Sequence, residues 1–277
     1  GCSVPAILSP RRIETRSDRL VTIAVLPMMS CAGRLPIYMM FVSALFPSRL
    51  QAPVLFGIYA SGVLLALCCA RLLKNTLFKA PQRDSLHHMK RLRLPSLRKV
   101  GILMWSRAFM YVRKAGTFIL GASIILWFLN TYPRPEEDTA PTNAAAMEHS
   151  YAGQIGHWME PVTQVAGFDW KINSALVGAF AAKEIFVTQM GILYAVEDGN
   201  SAPAAQQTLN ARLKASYTPL QGISIMIFCL IALPCIGTVT VAKREAGTWW
   251  FALAQFGGLT LLGFATATLI YQAGLLL

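Results

Sequence analysis

Leu230-Ile-Ala-Leu-Pro-Cys-Ile-Gly-Thr238 sets a cysteine beside a proline inside a run with almost no polar residues. Pro234 has no N–H, and its ring collides with the carbonyl four residues back, so an apolar helix through this run must break there. A broken helix in lipid releases backbone carbonyls, which are tolerated only where they face protein or a watery cavity. Cys235 at such a break is a candidate ligand for an ion in transit. The chain opens on a similar phrase, Gly1-Cys2-Ser3-Val4-Pro5. Arg11-Arg12 and Glu14 follow it much as Lys243-Arg244-Glu245 follow Cys235. Pro5 is read as a second break.

Composition sets the class. Of 277 residues, 55% are hydrophobic and only 14% are charged, against about 25% charged in an ordinary soluble domain. With a mean hydropathy of +0.47, the chain reads as an all-α, polytopic membrane protein in contact with lipid. The net charge of +12 is then a matter of loops on the cytoplasmic side and not a nucleic-acid footprint. Six cysteines are present (Cys2, Cys31, Cys68, Cys69, Cys229 and Cys235) without a CxxC pair, so neither a disulfide framework nor a zinc site is indicated. The chain starts Gly-Cys, without an initiator Met or a signal-peptide pattern, and is expected to be the C-terminal part of something longer.

A membrane span needs about 20 apolar residues. Six stretches qualify: 20–46, interrupted by Pro27, Arg34 and Pro36; 54–73; 115–129; 172–196, with Lys183 and Glu184 at its centre; 223–242; and 249–277. Residues 101–113 look amphipathic and interfacial. Trp249 and Trp250 suit an interfacial belt. Between Lys74 and Lys114 there are eleven Lys/Arg and one acid, whereas 133–170 holds one Arg and six acids. That asymmetry places the first loop in the cytoplasm and the second outside. Counting spans from there puts Arg11-Arg12 inside and Lys243-Arg244 outside, so the two Cys phrases are expected to enter from opposite faces, as inverted repeats do.

Cys2, Cys31 and Cys235 each lie by a helix-breaking proline, and sulfur suits late first-row divalent metals. Cys is also a small apolar residue that packs inertly, so spacing alone leaves both roles open. Glu184 is a candidate cation attractor. Lys183 is its neighbour but points about 100° away around a helix. Charges at the centre of a span are costly and pair or face a cavity; the alternative is that the segment is shorter or re-entrant and the pair lies near an interface. Arg34 is expected to hold a carboxylate or the free carbonyls of a break, or else to snorkel. Met28-Met29 and Met39-Met40 suit packing, and His87-His88, His149 and His157 have no partner at ligand spacing. No GxxxxGK[ST], HExxH or GxSxG motif occurs, and nothing argues for an enzyme.

Four phrases in order carry a resemblance: Gly1-Cys-Ser-Val-Pro-Ala6, Met29-Ser-Cys-Ala-Gly-Arg-Leu-Pro-Ile-Tyr38, Ala181-Ala-Lys-Glu184 and Leu233-Pro-Cys-Ile236. Together they resemble the ferrous iron transport protein B (FeoB) family over nearly the whole chain. The resemblance implies a prokaryotic inner-membrane, multi-pass permease for Fe2+ with two gate-type inverted repeats and broken helices. It implies Cys2, Cys31 and Cys235 as ligands along the iron path, with Glu184 adding negative potential. Arg34, Lys183, Pro5 and Pro234 would shape the path or its gates. Residues 1–75 would be part of the first gate domain, 76–114 a basic cytoplasmic loop with an amphipathic helix, and 115–277 the C-terminal region with the second gate domain. GTP and Mg2+ would act through an N-terminal G domain that these residues do not contain. That domain, the first spans, small cytoplasmic Feo accessory proteins and a second copy of the chain are the implied partners. The rival expectations are a gate-type permease for another substrate, such as a nucleoside, and a non-transporting membrane scaffold.

Overall fold

The computed structural model describes residues 2–13, 15–76, 96–133, 148–194 and 202–276. Gly1, Glu14, His87-His88 and most of the basic and acidic loops lie outside these residues. Within them the chain is helical: α1 (Ser3–Leu8), α2 (Arg16–Val25), α3 (Leu35–Leu45), α4 (Ser48–Thr76), α5 (Leu97–Thr131), α6 (Tyr151–Thr163), α7 (Trp170–Ala181), α8 (Lys183–Tyr194), α9 (Ala202–Ser216), α10 (Pro219–Ile231), α11 (Ile236–Ala246) and α12 (Trp249–Leu276). Among the described residues, four stretches are long and apolar enough to cross a bilayer: Arg16–Leu45, Ser48–Thr76, Pro219–Ala246 and Trp249–Leu276. The fold is an all-α membrane bundle. Residues 101–113 and 115–129 fall on one continuous helix, α5.

Two of these four stretches are broken. In the first, α2 gives way to a 3-10 turn at Leu26–Met28, extended backbone at Met29, and a second 3-10 turn at Ala32–Arg34 before α3. In the second, α10 stops at Ile231 and α11 starts after Cys235. Between them Leu233 takes a φ of 52°, a left-handed conformation that costs a non-glycine residue about 1–3 kcal/mol and survives only where its surroundings impose it. The two broken crossings run antiparallel. Leu45 at the end of α3 meets Gly222 at the start of α10, while Ile23 of α2 packs with Ala242 of α11. Their breaks therefore lie at similar depth.

The span expected at 172–196 is not a crossing. Ala182 is extended (φ −150°, ψ 135°), and the chain folds back there, because Gly178 of α7 lies against Ile185 and Gln189 of α8. A Cβ at Gly178 would stand 2.9 Å from Ile185 Cγ2, so the close approach of the two arms requires glycine at this point. Each arm has 12 residues, about 18 Å of helix, too short for a hydrocarbon core of about 30 Å. The pair is a re-entrant hairpin with Lys183-Glu184 at its tip. Its open ends are tied together: Tyr194 OH donates to Tyr217 OH at 3.1 Å, and Tyr217 OH donates to the Asp169 carboxylate at 2.9 Å.

The hairpin also overturns the expected orientation of the two Cys phrases. Val4 of α1 lies 3.5 Å from where a Cβ on Gly237 of α11 would stand, Ile7 clusters with Ala242, and Arg11 Nε donates to Glu245 Oε2 at 2.9 Å. Helices α1 and α11 thus run side by side in the same direction, with Arg11 and Lys243-Arg244 at one end. Counting 172–196 as a crossing had inverted the side of everything after it. The opposed relation expected of these phrases is found instead between the two broken crossings. Pro5 begins a helix, since it sits in the first turn of α1, where its missing N–H has no intrahelical partner to lose.

Candidate functional site

Backbone carbonyls left without partners in an apolar interior must find donors elsewhere. Pro27 cannot donate to Ile23 four residues back, and Gln255 of α12 does so in its place, Nε2 to the Ile23 carbonyl at 2.8 Å. Arg34, 2% exposed, folds back into the first break and donates Nη1 to the Pro27 carbonyl at 2.7 Å and the Met29 carbonyl at 3.0 Å. Of the roles open to Arg34, capping a break is the one observed. Lys183 at the hairpin tip, 4% exposed, donates Nζ to the Ala232 carbonyl of the second break at 3.2 Å. Three irregular backbone segments therefore converge: the first break, the second break and the reversal at Ala182.

The side chains around this point are thiols and cations. Arg34, Cys229, Cys31 and Cys235 are the ionisable groups whose charges act on Lys183. Arg34 and Lys183 are like charges in a poorly screened interior and repel each other. Among the described residues neither forms an ion pair, so carbonyl dipoles hold both. Glu184 is exposed and lies against the first break, its Oε1 2.6 Å from where a Cβ on Gly33 would stand. A side chain at position 33 would have to push the tip of Glu184 aside.

Cys31 and Cys235 occupy equivalent positions. Each is half-buried and each is the cap residue opening a helical turn, Cys31 before Ala32–Arg34 and Cys235 before α11, without a side-chain capping bond. Such positions present unpaired N–H groups and a partial positive charge. Cys235 Sγ lies 3.2 Å from the buried Thr238 hydroxyl. Cys2 opens α1 in the same way but is exposed, alongside the start of α11. Among the described residues no group of three or more His, Cys, Asp or Glu is gathered tightly enough to hold a metal ion.

Several members of this centre are absent from the sequence reading. Cys229 is fully buried, six residues before Cys235 in the same apolar run, which is the signal that could have marked it. Tyr38, also fully buried, has its hydroxyl 3.5 Å from Ser30 Oγ. Gln255 and Lys183 are polar groups in apolar runs, and only the fold shows which carbonyls they serve. The Met pairs alternate, with Met28 and Met40 buried and Met29 and Met39 exposed, as packing requires. His157 stacks on Trp170 with ring centroids 4.8 Å apart and contributes nothing here.

Comparison with known proteins follows this geometry. Residues 55–107 match the family model for the ferrous iron transport protein B C terminus. Residues 112–249, which include the hairpin and the second break, match the gate model described as nucleoside recognition. The chain matches the C-terminal membrane part of FeoB proteins. An Fe(2+) transport protein A/Fe(2+) transporter FeoB fusion protein of Porphyromonas gingivalis is 35% identical, over 100% of this chain and 37% of its own length. The Fe(2+) transporter FeoB of Campylobacter jejuni is 36% identical over 92% of this chain and 42% of its own length. That of Methanocaldococcus jannaschii is 35% identical over 100% and 40%. The chain thus spans about two fifths of the FeoB relatives it matches. No solved structure matches it significantly.

Proposed function

We propose that this chain forms the transmembrane passage of a ferrous iron transporter, with Fe2+ handed between thiols at the two helix breaks. The observation that carries this reading is the pairing of Cys31 and Cys235 at matching breaks of two antiparallel crossings, in a chain similar to Fe(2+) transporters throughout. Sulfur beside freed carbonyl oxygens is a donor set suited to Fe2+ and poorly suited to Mg2+ or Ca2+. Cys2, at the start of the helix flanking α11, serves as an outer ligand on the same path, and Glu184 raises the local cation concentration at its mouth. GTP and Mg2+ act through a G domain outside these residues. A second copy of the chain and small cytoplasmic accessory proteins are further partners of the whole transporter.

Orientation in a prokaryotic inner membrane follows from charge. Arg11, Lys243, Arg244 and the Lys74–Asp18 pair at 2.9 Å share one end of the bundle, the end from which the basic 77–95 segment departs. The positive-inside rule makes that end cytoplasmic.

A nucleoside site would call for free amide groups in the centre. The NH2 groups of the buried amides serve helix contacts, Gln189 donating to Asn130 at 2.9 Å, Asn173 to Thr163 at 2.8 Å, and Gln255 to Ile23, while their carbonyl oxygens have no partner among the described residues. The similarity to Fe(2+) transporters over nearly the whole chain supports the metal reading. Fe2+ uptake should be measured in cells carrying the full-length protein with Cys2, Cys31 and Cys235 each changed to Ser. Loss of most uptake with Cys31→Ser or Cys235→Ser is expected; wild-type rates in all single and combined variants would remove the thiols from the mechanism.

A further inference from the structure

Threonines inside the helices of this chain turn their hydroxyls onto their own backbone. Thr22, Thr76, Thr240 and Thr260 each donate to the carbonyl four residues back, at 2.7 or 2.8 Å, the common habit of a helical hydroxyl. Thr238 does not. The residue four back is Pro234, in the second break, and the nearer Cys235 carbonyl already accepts from the Thr238 and Val239 amides at 2.8 and 3.1 Å. The Thr238 hydroxyl lies instead 3.2 Å from Cys235 Sγ. Thr238 is buried, and among the described residues that sulfur is the only partner of its hydroxyl. A buried hydroxyl without a partner is destabilising, so Thr238 and the thiol are held to each other.

We propose that Thr238 is a positioning residue for the Cys235 thiol, its hydroxyl donating to the sulfur when the sulfur binds Fe2+. This rests on the reading of Cys235 as a ligand on the iron path. While the thiol keeps its proton, it and the hydroxyl can exchange the donor role. Ligation removes that freedom. A metal is bound by sulfur that has released its proton to water, and such a sulfur only accepts, so the Thr238 O–H must point at it. A hydrogen bond to a charged acceptor is stronger than one between neutral groups, and the pair tightens as the ion arrives. With one side of the sulfur taken by the hydroxyl, the direction left for the ion is set. Groups that hydrogen-bond to metal ligands orient them and support affinity in the same way at metal sites of many kinds.

The first break is built differently. Cys31 and Cys235 open their helical turns in equivalent places, but three residues after Cys31 stands Arg34, whose Nη1 serves the Pro27 and Met29 carbonyls. The matching position thus offers Cys31 no hydroxyl. Cys235 is braced from within its own helix, and its hold on the ion depends on that brace.

The test is protection of Cys235 by Fe2+ against a maleimide, measured anaerobically on the full-length protein in detergent. Mass spectrometry of the peptide carrying Cys235 gives the readout, and Fe2+ uptake is followed in cells alongside. Thr238→Val keeps the branched shape, removes the hydroxyl and leaves no backbone group unpaired; Thr238→Ser keeps the hydroxyl. The Val variant should need on the order of tenfold more Fe2+ for half-protection, with a raised half-saturating concentration for uptake, while the Ser variant stays near wild type. If the Val variant fails to give monodisperse protein, Thr238→Ala takes its place, since it differs from Thr238→Ser by the hydroxyl alone. Equal protection in wild type, Val and Ser variants would overturn the positioning role and leave the thiol path intact. A Ser variant as weak as Val or Ala would do the same, because the methyl group and not the hydroxyl would then matter. Absence of any protection of wild-type Cys235 by Fe2+ would overturn both.

Discussion

Gln255 completes the hydrogen bond that Pro27 cannot make: its Nε2 donates to the Ile23 carbonyl at 2.8 Å, across from α12 to α2. A proline-broken helix in lipid is viable only with such a donor. Leaving that buried carbonyl unpaired costs about 1–3 kcal/mol. Gln255→Leu should therefore lower the thermal midpoint of the detergent-solubilised protein by several degrees, whereas Gln255→Asn, too short to reach, should behave like Leu. An unchanged midpoint in both would mean the Ile23 carbonyl has another donor.

Arg34 carries a heavier duty, with two carbonyls on one guanidinium. Arg34→Met preserves much of the volume and orphans both acceptors, for a loss of about 2 kcal/mol or more. Arg34→Lys should recover part of it, since an ammonium can serve one carbonyl well but not this fork-like geometry. Denaturation of the three proteins side by side checks the ranking; Lys falling below Met would contradict it.

Glycines around the second break predict a contrast. A Cβ on Gly263 would stand 2.7 Å from Ala232 Cβ and 3.0 Å from its nitrogen, while one on Gly62 would meet the end of the Leu230 side chain at 2.9 Å. Backbone cannot step aside and a leucine tip can. Gly263→Ala should cost about 1–3 kcal/mol through overpacking and impair uptake; Gly62→Ala should be much milder. Equal effects in stability and uptake assays would show the break is not rigidly packed.

Side-specific labelling tests the hairpin. Single cysteines at Arg12 and Lys243, in a background lacking the exposed native thiols, should both be shielded from a membrane-impermeant maleimide applied outside intact cells. Both should react in inverted vesicles. Opposite accessibility would restore 172–196 as a true crossing and undo the parallel placement of α1 and α11.

Much of the architecture is legible in the sequence because prolines and charges are local signals. Pro27, Pro36 and Pro234 mark the breaks, and the apolar runs flanking them mark the crossings. The thiols Cys31 and Cys235 stand out by adjacency to those prolines. What stays undecided in the sequence is the reversal at Ala182: no proline marks it, and the apolar residues on either side fill a span-length window, so a crossing and a re-entrant turn both fit. Lys183-Glu184 were the trace it left, legible as charges in an apolar run but silent on direction. From that one missed turn came the wrong sides for everything downstream. Gln255 escaped for another reason, since its role depends on a helix more than 200 residues away in sequence, where Ile23 lies.

The clasp joining Asp169, Tyr217 and Tyr194 gives the hairpin a mechanical character. Both arms are moored at one end and the charged tip is held about 18 Å away, Lys183 on the Ala232 carbonyl and Glu184 against Gly33, so the element is a strut fixed at both ends. Through it, one end of the bundle is joined by a single short element to the spot where the two broken helices converge.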